Sequence, residues 1–163
     1  MKNLFDLGGK TVLITGAAGI LGRQHANAVV SHGATVILAD INIEKTIALA
    51  SELNGKYDCS RAYAEYMDVL DKNSIEKVAK KYEKIDILIN NAAKDTKVEK
   101  SGDLSLSNRF EHMSLEHWNS DMKVGLDGSF LCSQVIANKM LATGGGNIIN
   151  IASDLATIAP DQR

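Results

Sequence analysis

Residues 11–22 read TVLITGAAGILG, a short apolar run that leads directly into a turn containing three glycines. The run from Thr11 to Ile14 predicts a buried strand, and the residues from Ile20 to Ser31 predict a helix. Glycines in such a turn allow the backbone to approach a pyrophosphate, and the helix start offers unpaired N–H groups and a positive dipole end. The stretch therefore predicts a strand and helix that bind a nucleotide phosphate.

Strand-like and helix-like segments alternate through the rest of the chain. Further strands are predicted over 35–39, 61–67, 85–89 and 147–151. Further helices are predicted over 43–53, where Asn54-Gly55 should break the helix, and over 73–82 and 114–141. This order predicts an α/β fold of the doubly wound (Rossmann) class, with about five parallel strands, the first three in the order 3-2-1, and helices on both faces. The stretch 94–109 lacks periodicity and predicts a surface loop.

The spacing of apolar residues also predicts which helix faces are buried. In the first helix these residues are Leu21, Ala28 and Val29. In the longest helix, which Ser114 should cap, they are Leu115, Trp118, Met122, Leu126, Phe130 and Ile136. Gly125 lies inside that helix, where a glycine indicates either close packing or a local opening.

Composition bounds the class of protein. A chain of 163 residues with 45% hydrophobic and 23% charged residues predicts one globular domain over 1–163. The formal charge of −2, without a basic run, argues against a nucleic-acid partner. No apolar stretch is long enough for a membrane span or a signal peptide, so we expect no membrane partner and a cytoplasmic location. Cys59, Cys132, His112 and His117 lack metal-ligand spacing, so no metal site is predicted.

Asp40 closes the second predicted strand, 18 residues after Gly22. A carboxylate at this place can accept hydrogen bonds from a pair of ribose hydroxyls. Because it would repel a 2′-phosphate, Asp40 favours NAD over NADP as the cofactor. The alternative is that Asp40 is only a helix-capping acid.

Four motifs resemble those of the short-chain dehydrogenase/reductase family, in that family's order. They are the glycine turn 15–22, Asp68-Val69, the sequence NNAA at 90–93 and the sequence GNIINIAS at 146–153. The turn reads TGxxGxxG instead of TGxxxGxG, a spacing more typical of the extended, sugar-nucleotide branch of the family. Together with the polar loop at 94–109 and the sequence 146–160, this spacing looks similar to members associated with bacterial surface-sugar biosynthesis.

The resemblance implies roles for particular residues. The Asp68 carboxylate would accept from the adenine amino group, and the asparagine motif would steady the sheet beside the cofactor ribose. Ser153 would be catalytic, hydrogen-bonding the reacting carbonyl or carbinol oxygen during hydride transfer. The predicted cofactor-binding residues are Gly16, Gly19, Leu21, Gly22, Asp40, Ile41, Asp68, Val69, Asn90 and Ala92.

Two departures from the family pattern qualify these expectations. The family places a general acid/base Tyr after the serine, with a Lys one helical turn later, and residues 154–163 contain neither. Gly125 occupies the position of an Asn that organises a water for proton relay. We therefore expect a C-terminally truncated NAD(P)-binding domain that is inactive by itself.

The predicted activity of the complete protein is hydride transfer between NAD(H) and a small alcohol or carbonyl substrate, such as a sugar derivative. The resemblance also implies a homo-oligomer for the complete protein. The alternative, which Gly125 and the absent Tyr favour, is a non-catalytic NAD-binding sensor or partner subunit.

Overall fold

Five parallel strands form one sheet in the computed structural model, which describes residues 4–94 and 110–153. The strands are β1 Thr11–Thr15, β2 Thr35–Asp40, β3 Ala62–Tyr66, β4 Ile87–Asn90 and β5 Asn147–Asn150. The helices are α1 Ile20–Ser31, α2 Ile43–Lys56, α3 Lys72–Lys81, α4 Leu115–Met122 and α5 Gly128–Ala142. A π-helical segment, Lys123–Asp127, joins α4 to α5, and a 3₁₀ turn spans Phe110–His112. The predicted loop at 94–109 lies, except for Lys94, outside the described residues.

The strand order is β3-β2-β1-β4-β5, which confirms the doubly wound fold and the predicted order of the first three strands. Val12 of β1 is in register with Val36 on one side and with Ile87 on the other. The chain therefore reverses its direction of winding between β1 and β4. In such sheets the carboxyl ends of the strands open into a crevice at this point.

Side chains alternate between two cores along β1. Val12 and Ile14 belong to a cluster that α1 and α2 cover, whereas Leu13 belongs to a cluster that α3 and α5 cover. All three side chains are fully buried. Helices on both faces make β1 the centre of the molecule.

The end of α2 differs from the prediction. The helix continues through Asn54 and Gly55 to Lys56. The Asn54 side chain accepts from the N–H groups of Arg61 and Ala62 and donates to the Ala62 carbonyl oxygen. These contacts to the start of β3 occupy a side chain that would otherwise favour a turn.

The buried face of α1 is also different from the predicted one. Gly22, Ala26 and Val30 are buried, whereas Leu21 is 56% exposed and Ala28 is exposed. The small residues allow the helix to approach the sheet and the glycine turn closely, an effect that the spacing of larger apolar residues does not report.

The predicted helix over 114–141 is interrupted at the π-helical segment. Ser114 caps α4 as predicted, its hydroxyl accepting from His117 N–H at 3.1 Å. The wider turn shifts the helical register, so α5 buries Gly128, Cys132, Ile136 and Met140. Of the six members of the predicted apolar face only Ile136 is buried. The other five are exposed: Leu115, Trp118, Met122, Leu126 and Phe130.

Gly125 lies within this π-helical segment. A Cβ atom built on Gly125 would have no neighbour within 4 Å among the described residues. Packing against the described residues therefore does not require a glycine here, and the local opening of the helix is the alternative that the structure supports.

Candidate functional site

A cleft of about 660 Å³ opens at the carboxyl ends of β1, β4 and β5. Seven predicted site residues line it: Gly16, Gly19, Leu21, Asp40, Asn90, Ala92 and Ser153. Four others do not: Gly22, Ile41, Asp68 and Val69. Residues outside the predicted set, including Asn91, Lys94 and Ser129, also line the cleft.

The glycine turn is held tightly between β4 and α1. Gly16 has φ +61°, and a Cβ atom there would lie 2.8 Å from the Ala92 Cα atom. A Cβ atom on Gly22 would lie 2.3 Å from the Gly16 carbonyl oxygen. Both distances are too short for a side chain, so glycine is required at both positions.

The start of α1 differs from the starts of the next three helices. Asn42, Asp71 and Ser114 cap α2, α3 and α4 with their side chains. The N-cap of α1 is Gly19, which has no side chain to accept a hydrogen bond. The first N–H groups of α1 thus lack partners within the helix and lie beside the cleft, as an anion-binding site requires.

Asp40 connects the glycine turn to the end of β2. Its Oδ2 accepts from the Ala18 N–H at 3.0 Å, and its Oδ1 accepts from the Asn42 N–H at 2.9 Å. The cap of α2 is Asn42, whose Oδ1 accepts from the Lys45 N–H at 3.1 Å. A carboxylate has about four acceptor positions, so the two oxygens of Asp40 retain capacity for ligand hydroxyls.

Thr15 and Asn91, which were not among the predicted site residues, tie β1 to β4. The buried Thr15 hydroxyl oxygen accepts from the N–H groups of Asn91 and Ala92, both at 3.0 Å. The Asn91 Nδ2 donates to the carbonyl oxygens of Thr15 and Gly16 at 3.0 and 3.1 Å. A threonine directly before the first glycine was the sequence signal for this link.

Asn90 links three elements beside the cleft. Its side chain donates from Nδ2 to Ser133 Oγ at 3.0 Å and to Asn150 Oδ1 at 2.8 Å, which joins β4 to α5 and β5. Asn90 is 3% exposed, and its Oδ1 has no hydrogen-bond partner among the described residues. A buried amide oxygen in this state is an acceptor that a water or ligand donor could satisfy.

Asp68 and Val69 lie in the turn between β3 and α3, away from the cleft lining. The Asp68 Oδ1 accepts from the Leu70 N–H at 2.9 Å, which is ordinary turn chemistry. Val69 is buried against α5, where a Cβ atom on Gly128 would lie 2.7 Å from the Val69 Cγ2. Ile41 is exposed. The adenine contacts that the resemblance implies for Asp68-Val69 stay a prediction.

Ser153 follows β5 and shares the cleft with Gly125, Ser129 and Lys94. The Ser129 hydroxyl donates to the Gly125 carbonyl oxygen at 2.7 Å. The cleft thus combines a helix start, a carboxylate and several hydroxyl and amide groups.

Two titratable groups with raised pKa values lie outside the cleft lining. Burial raises the pKa of the Cys132 thiol to about 12, so this cysteine acts as a small apolar residue, as predicted. Burial, together with a hydrogen bond to Glu65, raises the pKa of the Tyr82 hydroxyl. The described residues contain no group of three or more His, Cys, Asp or Glu that could hold a metal ion.

Comparisons with known proteins identify the class. The short chain dehydrogenase family matches residues 10–162, so the chain belongs to that family. It is 38% identical over 162 residues to D-threitol dehydrogenase of Mycolicibacterium smegmatis and 37% identical over 162 residues to NAD-dependent glycerol dehydrogenase of Listeria innocua. Each alignment covers 97% of this chain and 58% of the relative.

A comparison with solved structures agrees with this family. A short-chain type dehydrogenase/reductase from Mycobacterium marinum superposes with a TM-score of 0.84 at 29% identity, covering 96% of this chain and 61% of that one. The chain therefore spans less than two thirds of these proteins. None of the three names refers to surface-sugar biosynthesis, so that association stays a prediction. Within the described part, no helix is long and apolar enough to cross a membrane.

Proposed function

We propose that the protein catalyses reversible hydride transfer between NAD(H) and an alcohol or carbonyl compound, with polyhydroxylated alcohols as substrates. The observation that carries this proposal is the single cleft that Gly16, Asp40, Asn90 and Ser153 line together. The names of the relatives from Mycolicibacterium smegmatis and Listeria innocua support the polyol class, and the second also supports NAD.

The residues present fit a dinucleotide. Glycine at 16 allows the close approach of the turn to Ala92, and the uncapped start of α1 offers N–H donors to a pyrophosphate. The Asp40 carboxylate would accept from the ribose hydroxyls while it keeps the turn attached to β2. When bound, the nicotinamide ring supplies the acceptor or donor of the hydride.

The chemical roles of the chain's own residues follow from their positions. In the oxidative direction the carbinol carbon loses a hydride to the cofactor, the hydroxyl loses a proton to a base, and the alcohol becomes a carbonyl. Ser153 would hydrogen-bond the oxygen that changes between hydroxyl and carbonyl. The resemblance assigns the proton transfer to a tyrosine that residues 154–163 do not contain.

Binding of NAD without turnover is the second candidate function. Gly125 favours it, because no side chain stands there to organise a relay water. Steady-state assays of the natural gene product with NAD and either D-threitol or glycerol distinguish the two functions. Measurable NADH production supports the enzyme, whereas saturable NADH binding without any turnover supports the sensor or partner subunit.

Asp40→Asn tests the choice of cofactor. The amide keeps one acceptor oxygen but loses the charge and one backbone hydrogen bond, so NADH affinity should fall about tenfold. The preference for NADH over NADPH should narrow, because the repulsion of a 2′-phosphate is lost. Fluorescence titration with both cofactors measures these changes.

Asp6→Asn is the matched control for Asp40→Asn. Asp6 also accepts from a backbone N–H, that of Gly8 at 2.9 Å, but it does not line the cleft. Its replacement should leave both affinities unchanged. Tighter binding of NADPH than of NADH by the parent protein would contradict the assignment of NAD.

A homo-oligomer is part of the proposal. Among the described residues, large apolar side chains on α4 and the π-helical segment are exposed, and a second copy of the protein would cover such a surface. Light scattering coupled to size exclusion measures the mass in solution, and a monomer at micromolar concentration would contradict this part.

A further inference from the structure

We propose that Lys94 is a substrate-binding residue that recognises a hydroxyl group remote from the reacting carbon of an uncharged polyol. The inference rests on the proposed function and adds a residue that determines specificity. Lys94 follows the NNAA sequence directly and lines the cleft together with Gly125 and Ser153. Its side chain therefore belongs to the part of the cleft that the substrate would occupy.

The ammonium group of Lys94 is held by two residues of α4. Its Nζ donates to Ser120 Oγ at 2.7 Å and lies 3.3 Å from Asp121 Oδ1. His117 Nε2 lies 3.2 Å from the other carboxylate oxygen, Asp121 Oδ2. This chain of contacts connects the segment after β4 to α4 and positions the ammonium group beside α4.

One donor of this ammonium group is left for a ligand. An ammonium group has three N–H donors: one is hydrogen-bonded to Ser120 Oγ, a second faces Asp121 Oδ1 in an ion pair without a hydrogen bond, and none of the described residues takes the third. The Lys94 side chain is 48% exposed, so a solute can reach it. Because the contacts with α4 already restrain the Lys94 side chain, a ligand that binds to it causes a smaller loss of conformational entropy than a ligand that binds to an unrestrained lysine.

The charges around Lys94 favour a neutral substrate. The formal charges of Lys94 and Asp121 cancel, and Asp40 is the other charged residue among the described residues that line the cleft. No positive charge in that lining is left without a negative partner. A carboxylate or phosphate would therefore compete with Asp121 for the ammonium, whereas a hydroxyl needs only the remaining donor.

Lys94→Met tests the proposal because methionine keeps a long side chain but has no N–H donor. In the natural gene product, kcat/KM for D-threitol should fall about tenfold to hundredfold, the loss expected for a charge-assisted hydrogen bond. For 2-butanol, which has only the reacting hydroxyl, kcat/KM should change less than about twofold, and the NADH dissociation constant should stay the same.

Lys10→Met is the matched control. Lys10 has a similarly exposed side chain (51%) and pairs with Asp86 at 3.5 Å, but it precedes β1 at the opposite end of the sheet from the cleft. This variant should keep the parent's kinetics with both alcohols. Equal losses with both alcohols in Lys94→Met would show a merely structural role and overturn the proposal.

Two further outcomes separate the inference from the proposed function. If the parent protein oxidises neither alcohol, nor glycerol, the proposed function fails and the inference fails with it. If the parent is active but Lys94→Met retains its D-threitol kinetics, only the inference fails. A parent that prefers threonate over D-threitol, with a larger loss for threonate in Lys94→Met, would overturn the uncharged substrate class.

Discussion

The strands β1 and β5 belong to the same sheet and both lead into the candidate site, yet their environments differ. In β1 the four residues from Val12 to Thr15 are buried, whereas all four residues of β5 are exposed. Helices cover both faces of β1, while Ile148 and Ile149 of β5 have large exposed fractions among the described residues. The comparison teaches that contacts among the described residues fix the proposed cofactor side by close packing, whereas the same residues do not cover β5 on the proposed substrate side.

Matched leucine substitutions should give the largest contrast between the two sides. Leu13→Ala removes a fully buried side chain from β1 and should lower the free energy of unfolding by about 3 kcal/mol. Leu126→Ala, in the π-helical segment where the leucine is 60% exposed, should lower it by less than about 1 kcal/mol. Urea unfolding of both variants measures the difference, and equal losses would contradict the contrast.

Matched glycine substitutions should give the next largest contrast. In Gly22→Ala the new methyl group would collide with the Gly16 carbonyl oxygen, which should cost about 2 kcal/mol of unfolding free energy and weaken NADH binding. Gly125→Ala meets open space, and the better helix propensity of alanine should raise stability by up to about 1 kcal/mol. Thermal unfolding and NADH titration measure both effects. A Gly22→Ala variant as stable as the parent would show that the turn can relax.

Substitution of Asp86 should change the stability least, because Asp86 connects β1 and β5 only at the amino ends of these strands. Its carboxylate accepts from the Thr11 N–H, and its carbonyl oxygen accepts from the Asn147 N–H at the start of β5. Burial opposes its ionisation, but the hydrogen bonds from Lys84 and Thr11 and the charge of Lys10 outweigh burial. They lower the pKa of Asp86 below its ordinary value of 3.8.

A lowered pKa in the folded state gives a defined pH dependence. The stabilisation from ionised Asp86 is present above about pH 4 and is lost as the pH falls through the lower folded pKa. Asp86→Asn should therefore be less stable than the parent at pH 7, and the gap should shrink at pH 3. Urea unfolding at the two pH values checks this, and a gap of constant size would count against the assignment.

The outline of the fold was accessible from local sequence patterns. Buried parallel strands are short apolar runs, and the glycine turn marks the place where the first helix begins, so the sheet order followed from general rules of connection. The cleft residues Gly16 and Asp40 were likewise recognised by type and position, whereas Asn90 was recognised through the resemblance to the family. The buried face of α1 was not predicted correctly, because two of its three buried residues, Gly22 and Ala26, add little to apolar periodicity.

The sequence by itself determined the doubly wound sheet, the glycine turn at 15–22 and the negative charge at Asp40, because backbone preferences and residue charge are local properties. Tertiary structure alone decided that Thr15 ties β1 to β4 and that Lys94 meets Asp121 of α4. These features depend on distances between residues far apart in the chain. Local periodicity carries no information about such distances.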